Sequence, residues 1–105
     1  GTLGRIMHGF NARPDLVAID NPYPPTKYLG QFWVDTLVFD AVMLQNNINL
    51  FGADRVALGS DYPFPLGELE TGALLDSMNL ETTIQNKILY KSALAWLNRK
   101  EEEFI

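Results

Sequence analysis

The chain has 105 residues, of which 47% are hydrophobic and 20% charged, a composition typical of one small globular domain and not of a disordered segment. Its formal net charge is −5, and no block of Lys and Arg is present that could follow a phosphate backbone, which argues against nucleic-acid binding. No apolar run reaches the roughly 18 residues of a membrane span, and the absence of cysteine excludes a disulfide framework and fits a cytoplasmic protein.

The first third of the sequence predicts short helices and a proline-rich loop. Apolar residues spaced i, i+3, i+4, i+7 favour a helix over residues 2–12, and Pro14 is typical of the first turn of a second helix over residues 14–19. Three prolines in residues 20–30 predict a structured loop with one helical turn. The chain begins without an initiator Met or a signal-peptide pattern, so its start resembles the middle of a protein.

Two strands separated by one helix are predicted in the middle of the chain. Residues 32–38 are rich in aromatic and β-branched side chains, and residues 55–59 form a short apolar run. Between them, Asp40 is placed to cap a helix over residues 41–51, and Gly52 to end it. A strand, a helix and a strand with tight joints form a βαβ crossover, so the two strands are expected to be parallel.

Helices are predicted again near the C-terminus, over residues 72–77 and 81–97. The second of these is expected to bury Ile84, Ile88, Leu89, Ala93, Trp96 and Leu97. Parallel sheets are buried on both faces, so two strands are too few for a stable sheet and their open edge should associate or aggregate. A (β/α)8 barrel needs about 250 residues, so the expected fold is α/β, the final two parallel strands and helices of such a barrel.

Asp61 is the strongest candidate for chemistry. It follows the second predicted strand by one residue, and Pro63 and Pro65 stiffen the loop after it. Ligands and catalytic groups of α/β barrels lie at the carboxyl ends of strands. From spacing alone, however, Asp61 is a turn residue, a helix cap or a ligand. One carboxylate cannot hold a catalytic metal, which needs about three protein ligands, so partners must come from elsewhere.

The other candidates have simpler interpretations. His8, the only histidine, has no second His or Cys nearby and is expected to be a partly buried or a surface residue. Arg5 lies one turn earlier on the same predicted helix. It is either a surface arginine or a residue whose guanidinium binds a carboxylate through two parallel hydrogen bonds. Tyr62 and Phe64 are expected to pack in the core or the loop, and Glu68 to lie on a solvated segment.

Three segments together go beyond generic patterns: "GRIMHGFNARPDL", "DNPYPPTKYLGQFWVDTLVFD" and "DRVALGSDYPFPLGELE". They resemble the C-terminal part of metal-dependent decarboxylases of the amidohydrolase superfamily, over nearly the whole chain. The resemblance implies that residues 1–105 are the C-terminal part of a single barrel domain, with the remaining strands outside this chain. It also implies a non-oxidative decarboxylation in tryptophan breakdown by the kynurenine route, with no organic cofactor.

The resemblance also assigns two site residues. Asp61 matches the family's aspartate ligand to a single catalytic Zn2+. Arg5 matches an arginine that reaches into the neighbouring subunit's site of a homodimer and binds a carboxylate of the anionic dicarboxylate substrate. His8 matches no catalytic histidine. The family's His-x-His pair, third histidine ligand and catalytic histidine have no counterpart here, so no catalytic residue is assigned and the segment alone is expected to be inactive.

Two other functions stay open. One is a related amidohydrolase, such as a resorcylate-type decarboxylase or a hydratase acting on another carboxylated substrate; the Gly4-Arg5 pair argues against it. The other is a catalytically inactive fragment that serves as an interaction or dimerisation module, which the missing segments favour. Lys91-Ser92-Ala93, where family members often have Gly-Asn-Ala, is a smaller departure that is expected to affect only local helix packing.

Overall fold

The computed structural model describes residues 2–105, which divide into two compact units, one up to Gln31 and one after it. The first unit is helical. It contains α1 (Thr2–Ala12), α2 (Pro14–Val17) and a 3-10 turn over Pro25–Tyr28. The predicted first helix is confirmed, the second is present but ends two residues early, and the proline-rich loop contains its one helical turn.

Exposed polar contacts link neighbouring segments of the first unit, in which no side chain among residues 2–31 is fully buried. The Arg13 guanidinium donates to both carboxylate oxygens of Asp15 at the start of α2, at 2.8 and 2.6 Å. This fork lowers the pKa of the Asp15 carboxyl below its usual value. The Tyr28 hydroxyl donates to Asn21 Oδ1 at 2.8 Å and ties the 3-10 turn back to the preceding loop.

The second unit is built around a βαβ crossover. Strands β1 (Val34–Asp35) and β2 (Val56–Ala57) pair in parallel, and α3 (Ala41–Phe51) connects them. The predicted α/β class with two parallel strands is therefore confirmed. Both strands are shorter than predicted; β1 ends because the Leu37 N–H turns back onto Asp35 Oδ1, at 3.1 Å. An N–H used in this way cannot extend the ladder.

Helix α3 begins and ends where the sequence predicts. Asp40 Oδ1 accepts a hydrogen bond from the Met43 N–H at 2.8 Å, which satisfies one of the free amides of the first turn. Gly52 follows the last turn with a φ of +86°, and its N–H donates to the Ile48 carbonyl at 2.9 Å. A positive φ favours glycine, so this residue stops the helix at low cost.

The rest of the second unit is helical. The elements are α4 (Ala73–Ser77), α5 (Thr82–Asn86), a π turn over Lys87–Lys91, α6 (Ser92–Trp96) and a 3-10 turn over Glu101–Phe104. The two predicted helices are confirmed, the second as one continuous rod in which the π turn joins α5 to α6. Across the described part of the chain, no helix has the length and apolar character needed to cross a bilayer.

One hydrophobic core lies between the strands and these helices. Its five buried apolar side chains come from four elements: Leu44, Ile48, Val56, Leu75 and Ile88. Full burial of such a side chain contributes about 1.5–3 kcal/mol to stability. The Arg55 guanidinium lies 4.2 Å from the centroid of the Trp33 ring. This cation–π contact links the residues that directly precede β1 and β2.

The prediction that Trp96 and Leu97 are buried is wrong, since they are 65% and 57% exposed. The physical reason is the π turn, which contains more residues per turn than an α-helix and rotates the following residues. Ser92 now faces the core after Ile88, at 2% exposure, and its hydroxyl donates to the Ala53 carbonyl at 2.8 Å. That hydrogen bond satisfies a buried polar group.

Candidate functional site

The loop from Ser60 to Glu68 carries Asp61, four residues after β2 ends at Ala57. Three backbone hydrogen bonds of 2.9 Å close it: the Phe64 N–H donates to the Asp61 carbonyl, the Gly67 N–H to Phe64, and the Glu68 N–H to Ser60. The Asp61 backbone has a φ of +56°, a left-handed conformation that Asp tolerates better than most residues. Its side chain is exposed and has no hydrogen bond or ion pair within the described part of the chain.

The two strand ends meet just before this loop. The Thr36 hydroxyl accepts from the Gly59 N–H at 3.3 Å and donates to the Gly59 carbonyl at 3.4 Å. A Cβ on Gly59 would lie 2.9 Å from the Cβ of Asp35, so only glycine allows this approach. Because the strands are parallel, Asp61 follows β2 at the carboxyl edge of the pair, the edge at which α/β barrels place their ligands.

Gly67 allows the loop to close on itself. A Cβ at this position would overlap the Ser60 carbonyl oxygen, a backbone atom that cannot move aside cheaply.

We expect Gly67→Ala to lower the free energy of unfolding by about 1–3 kcal/mol through overpacking, measured by denaturant titration. Gly4→Ala is the control, because a Cβ added at Gly4 would meet no other atom within 4 Å. Equal stability of the two variants would contradict the assignment.

Glu68 is a structural anchor, and the expectation that it lies on a solvated segment is wrong. Its Oε2 accepts from the Gly72 N–H at 2.9 Å, and its Oε1 from the Leu74 N–H at 3.2 Å. The side chain is half-buried. A carboxylate just before a helix is stabilised by the free N–H groups of the first turn, so its position before α4 is the signal that the sequence offered.

The loop also presents apolar side chains beside Asp61. Tyr62 and Phe64 are 87% and 62% exposed, so the expectation that they pack in the core or the loop is wrong. A cavity of about 410 Å³ opens within the loop and is lined in part by these two rings, Glu68 and Leu69. Its lining includes Ser60 and Tyr62, which flank Asp61 in the chain, but not Asp61 itself.

The carboxylate oxygens of Asp61 determine which ions this residue can bind. A carboxylate oxygen is a suitable Zn2+ ligand, and Asp61 has no competing partner in the described part of the chain. No three His, Asp or Glu side chains of residues 2–105 lie together as a metal site. Asp61 therefore fits a metal as one ligand, and the other ligands of such a site must come from outside residues 2–105.

Arg5 lies on α1, in the unit that ends at Gln31, whereas Asp61 belongs to the second unit. Its side chain is exposed, and its guanidinium has no ion pair among the residues described. The guanidinium is therefore available to an anion, and a carboxylate is the partner that its planar fork matches best. His8, one turn later on α1, is exposed and not partly buried.

Comparison with known proteins adds the family context. The family model described as Amidohydrolase matches residues 8–99. A 2-amino-3-carboxymuconate-6-semialdehyde decarboxylase of Dictyostelium discoideum is 50% identical over 106 residues, which cover 99% of this chain and 29% of that protein. The protein of the same name from Caenorhabditis elegans is 40% identical over 99 residues, which cover 93% of this chain and 25% of the relative. The chain thus spans less than a third of the length of these curated relatives.

Proposed function

The chain belongs to the amidohydrolase family, and from this we propose that it is the C-terminal part of a metal-dependent decarboxylase. The substrate proposed is 2-amino-3-carboxymuconate 6-semialdehyde, which loses CO2 to give 2-aminomuconate 6-semialdehyde. The reaction needs no net oxidation, so no organic redox cofactor is invoked. In this proposal β1 and β2 are the final two strands of a (β/α)8 barrel, whose other strands lie outside this segment.

The main observation that supports the proposal is the free carboxylate of Asp61. It lies four residues after β2, on a loop held by three backbone hydrogen bonds, with no side-chain partner in the described part of the chain. We assign it as one ligand of a single Zn2+. When bound, the ion supplies a Lewis acid and lowers the pKa of a coordinated water towards about 7. Asp61 itself contributes negative charge and a fixed oxygen position at the carboxyl edge of the strands.

Arg5 is proposed to bind a carboxylate of the substrate. The substrate has two carboxylates, and a guanidinium binds such a group through two parallel, charge-assisted hydrogen bonds. The exposure of Arg5 on α1 supports this role, since the side chain is free to meet a ligand. We further propose a homodimer in which Arg5 enters the neighbouring subunit's site, so that each site uses residues from two chains.

The natural polypeptide provides the test. We expect a protein of about three to four times 11.8 kDa, by the shares of the relatives that this chain covers, with near-stoichiometric zinc and release of CO2 from the proposed substrate. Intact-mass spectrometry, metal analysis and a CO2 assay measure these quantities. A folded natural protein of 11.8 kDa without turnover would instead favour an inactive dimerisation module.

A further inference from the structure

A continuous set of contacts links Asp61 to the hydrophobic core, and Glu68 is its central member. The Glu68 N–H donates to the carbonyl of Ser60, the residue directly before Asp61, at 2.9 Å. The Glu68 carboxylate binds the Gly72 and Leu74 N–H groups at the start of α4, at 2.9 and 3.2 Å. Helix α4 is itself fixed, because Leu75 is buried at 1% exposure.

Few contacts besides these attach the loop to the rest of the second unit. Most of its side chains are exposed: Tyr62 and Leu66 are each more than 80% exposed, and Phe64 is 62% exposed. The backbone hydrogen bonds that close the loop fix its shape, but they do not attach it to the rest of the unit. Among the side-chain hydrogen bonds, those between Thr36 and Gly59 hold the residue before the loop, and those that the Glu68 carboxylate accepts from α4 attach its other end.

We propose that Glu68 is a positioning residue, which holds the Asp61 carboxylate where it can bind the metal. The inference rests on the proposed function, since it presumes that Asp61 is a ligand. Outer residues that orient metal ligands typically change metal affinity by 10–100-fold when they are replaced. Glu68 acts in this way through the backbone of the loop, and it needs both of its carboxylate oxygens, one for each N–H.

Replacement by glutamine tests this role most directly. Glu68→Gln keeps the size of the side chain, but its amide NH2 faces an N–H donor, so one of the two hydrogen bonds is lost. In the intact natural protein we expect Zn2+ affinity, measured by competition with a chelating dye, to fall by about 10–100-fold. Glu70→Gln, an exposed position of the same charge two residues later, should change the affinity less than about twofold.

Two further variants separate positioning from general stability. Ser92→Ala removes the buried hydrogen bond to the Ala53 carbonyl and destabilises the same unit away from the loop. It should lower the melting temperature but leave Zn2+ affinity within about twofold of wild type. Glu68→Asp, which keeps the charge and draws the carboxylate back from α4, should also weaken Zn2+ binding and serves if the glutamine variant does not fold.

The outcomes discriminate between the two proposals. Wild-type Zn2+ affinity in the Glu68 variants, or an equal loss in Ser92→Ala, would overturn the positioning role. If Asp61→Ala also keeps its zinc, the ligand assignment itself fails and the positioning role fails with it. If Asp61→Ala loses the metal while the Glu68 variants keep it, the proposed function stands and only the positioning role is wrong.

Discussion

Asp61→Ala should abolish both zinc binding and decarboxylation in the intact natural protein. The variant removes one of about three protein ligands of a catalytic site, and the remaining donors then hold the ion with incomplete geometry. The loss of kcat/KM should exceed the roughly 10–100-fold effect of replacing an outer residue, because a direct ligand is lost. Metal analysis after dialysis and a CO2 assay over a range of substrate concentrations measure the two effects.

The control for this variant is Asp20→Ala, which removes an exposed carboxylate in the other unit. It should keep near-stoichiometric zinc and wild-type turnover, since an exposed position without a special role rarely changes stability by more than about 0.5 kcal/mol. The melting temperature of metal-free Asp61→Ala should fall slightly below that of Asp20→Ala, because the Asp61 side chain makes no hydrogen bond in the described part of the chain but Ala tolerates its φ of +56° less well than Asp does. Zinc retained by Asp61→Ala would refute the ligand assignment.

Arg5→Ala should leave zinc bound but lower kcat/KM for the substrate. A hydrogen bond to a charged group contributes about 1.5–3 kcal/mol, so kcat/KM should fall by about 10–150-fold. Steady-state kinetics with metal analysis in parallel separate this effect from metal loss. Arg13→Ala is a suitable control, because the Arg13 guanidinium is already held by the Asp15 carboxylate at 2.6 Å. A wild-type kcat/KM for Arg5→Ala would remove Arg5 from the site.

Mixing two variants of low activity tests whether the site is shared. In a hybrid of Arg5→Ala and Asp61→Ala subunits, a shared arrangement leaves one site with an intact Asp61 and an intact Arg5. Random exchange should then restore roughly a quarter of wild-type activity, because half of the dimers are hybrids and each has one intact site. If both residues served the same subunit's site, every hybrid site would lack one of them, and no activity would return.

Local signals in the sequence predict much of the second unit. The bounds of α3 follow from Asp40 and Gly52, because capping and a left-handed stop depend on side-chain and backbone chemistry within a few residues. The parallel arrangement follows from the tight strand–helix–strand order, since a crossover through one helix returns the chain in the same direction. A carboxylate near the end of the second predicted strand makes Asp61 a candidate, but its spacing alone leaves a turn residue, a helix cap and a ligand open, and the family resemblance selects the ligand.

The features that the sequence does not predict depend on contacts between elements. The burial of Ser92 and the exposure of Trp96 follow from a π turn, which shifts the helix face and has no distinct residue pattern. The role of Glu68 depends on α4 lying close enough to present two N–H groups, although the residue itself stands in an alternating stretch of a kind typical of solvated segments.

The sequence by itself determined the helices, the order of the elements, the family resemblance and the identity of Asp61 and Arg5 as candidates. These depend on residue type and on spacing along the chain. Only the tertiary structure decided that the Asp61 carboxylate is free and that its loop is attached to α4 through Glu68. Such contacts join residues several positions apart through specific distances and angles, and hydrogen bonds form only where folding brings donor and acceptor together.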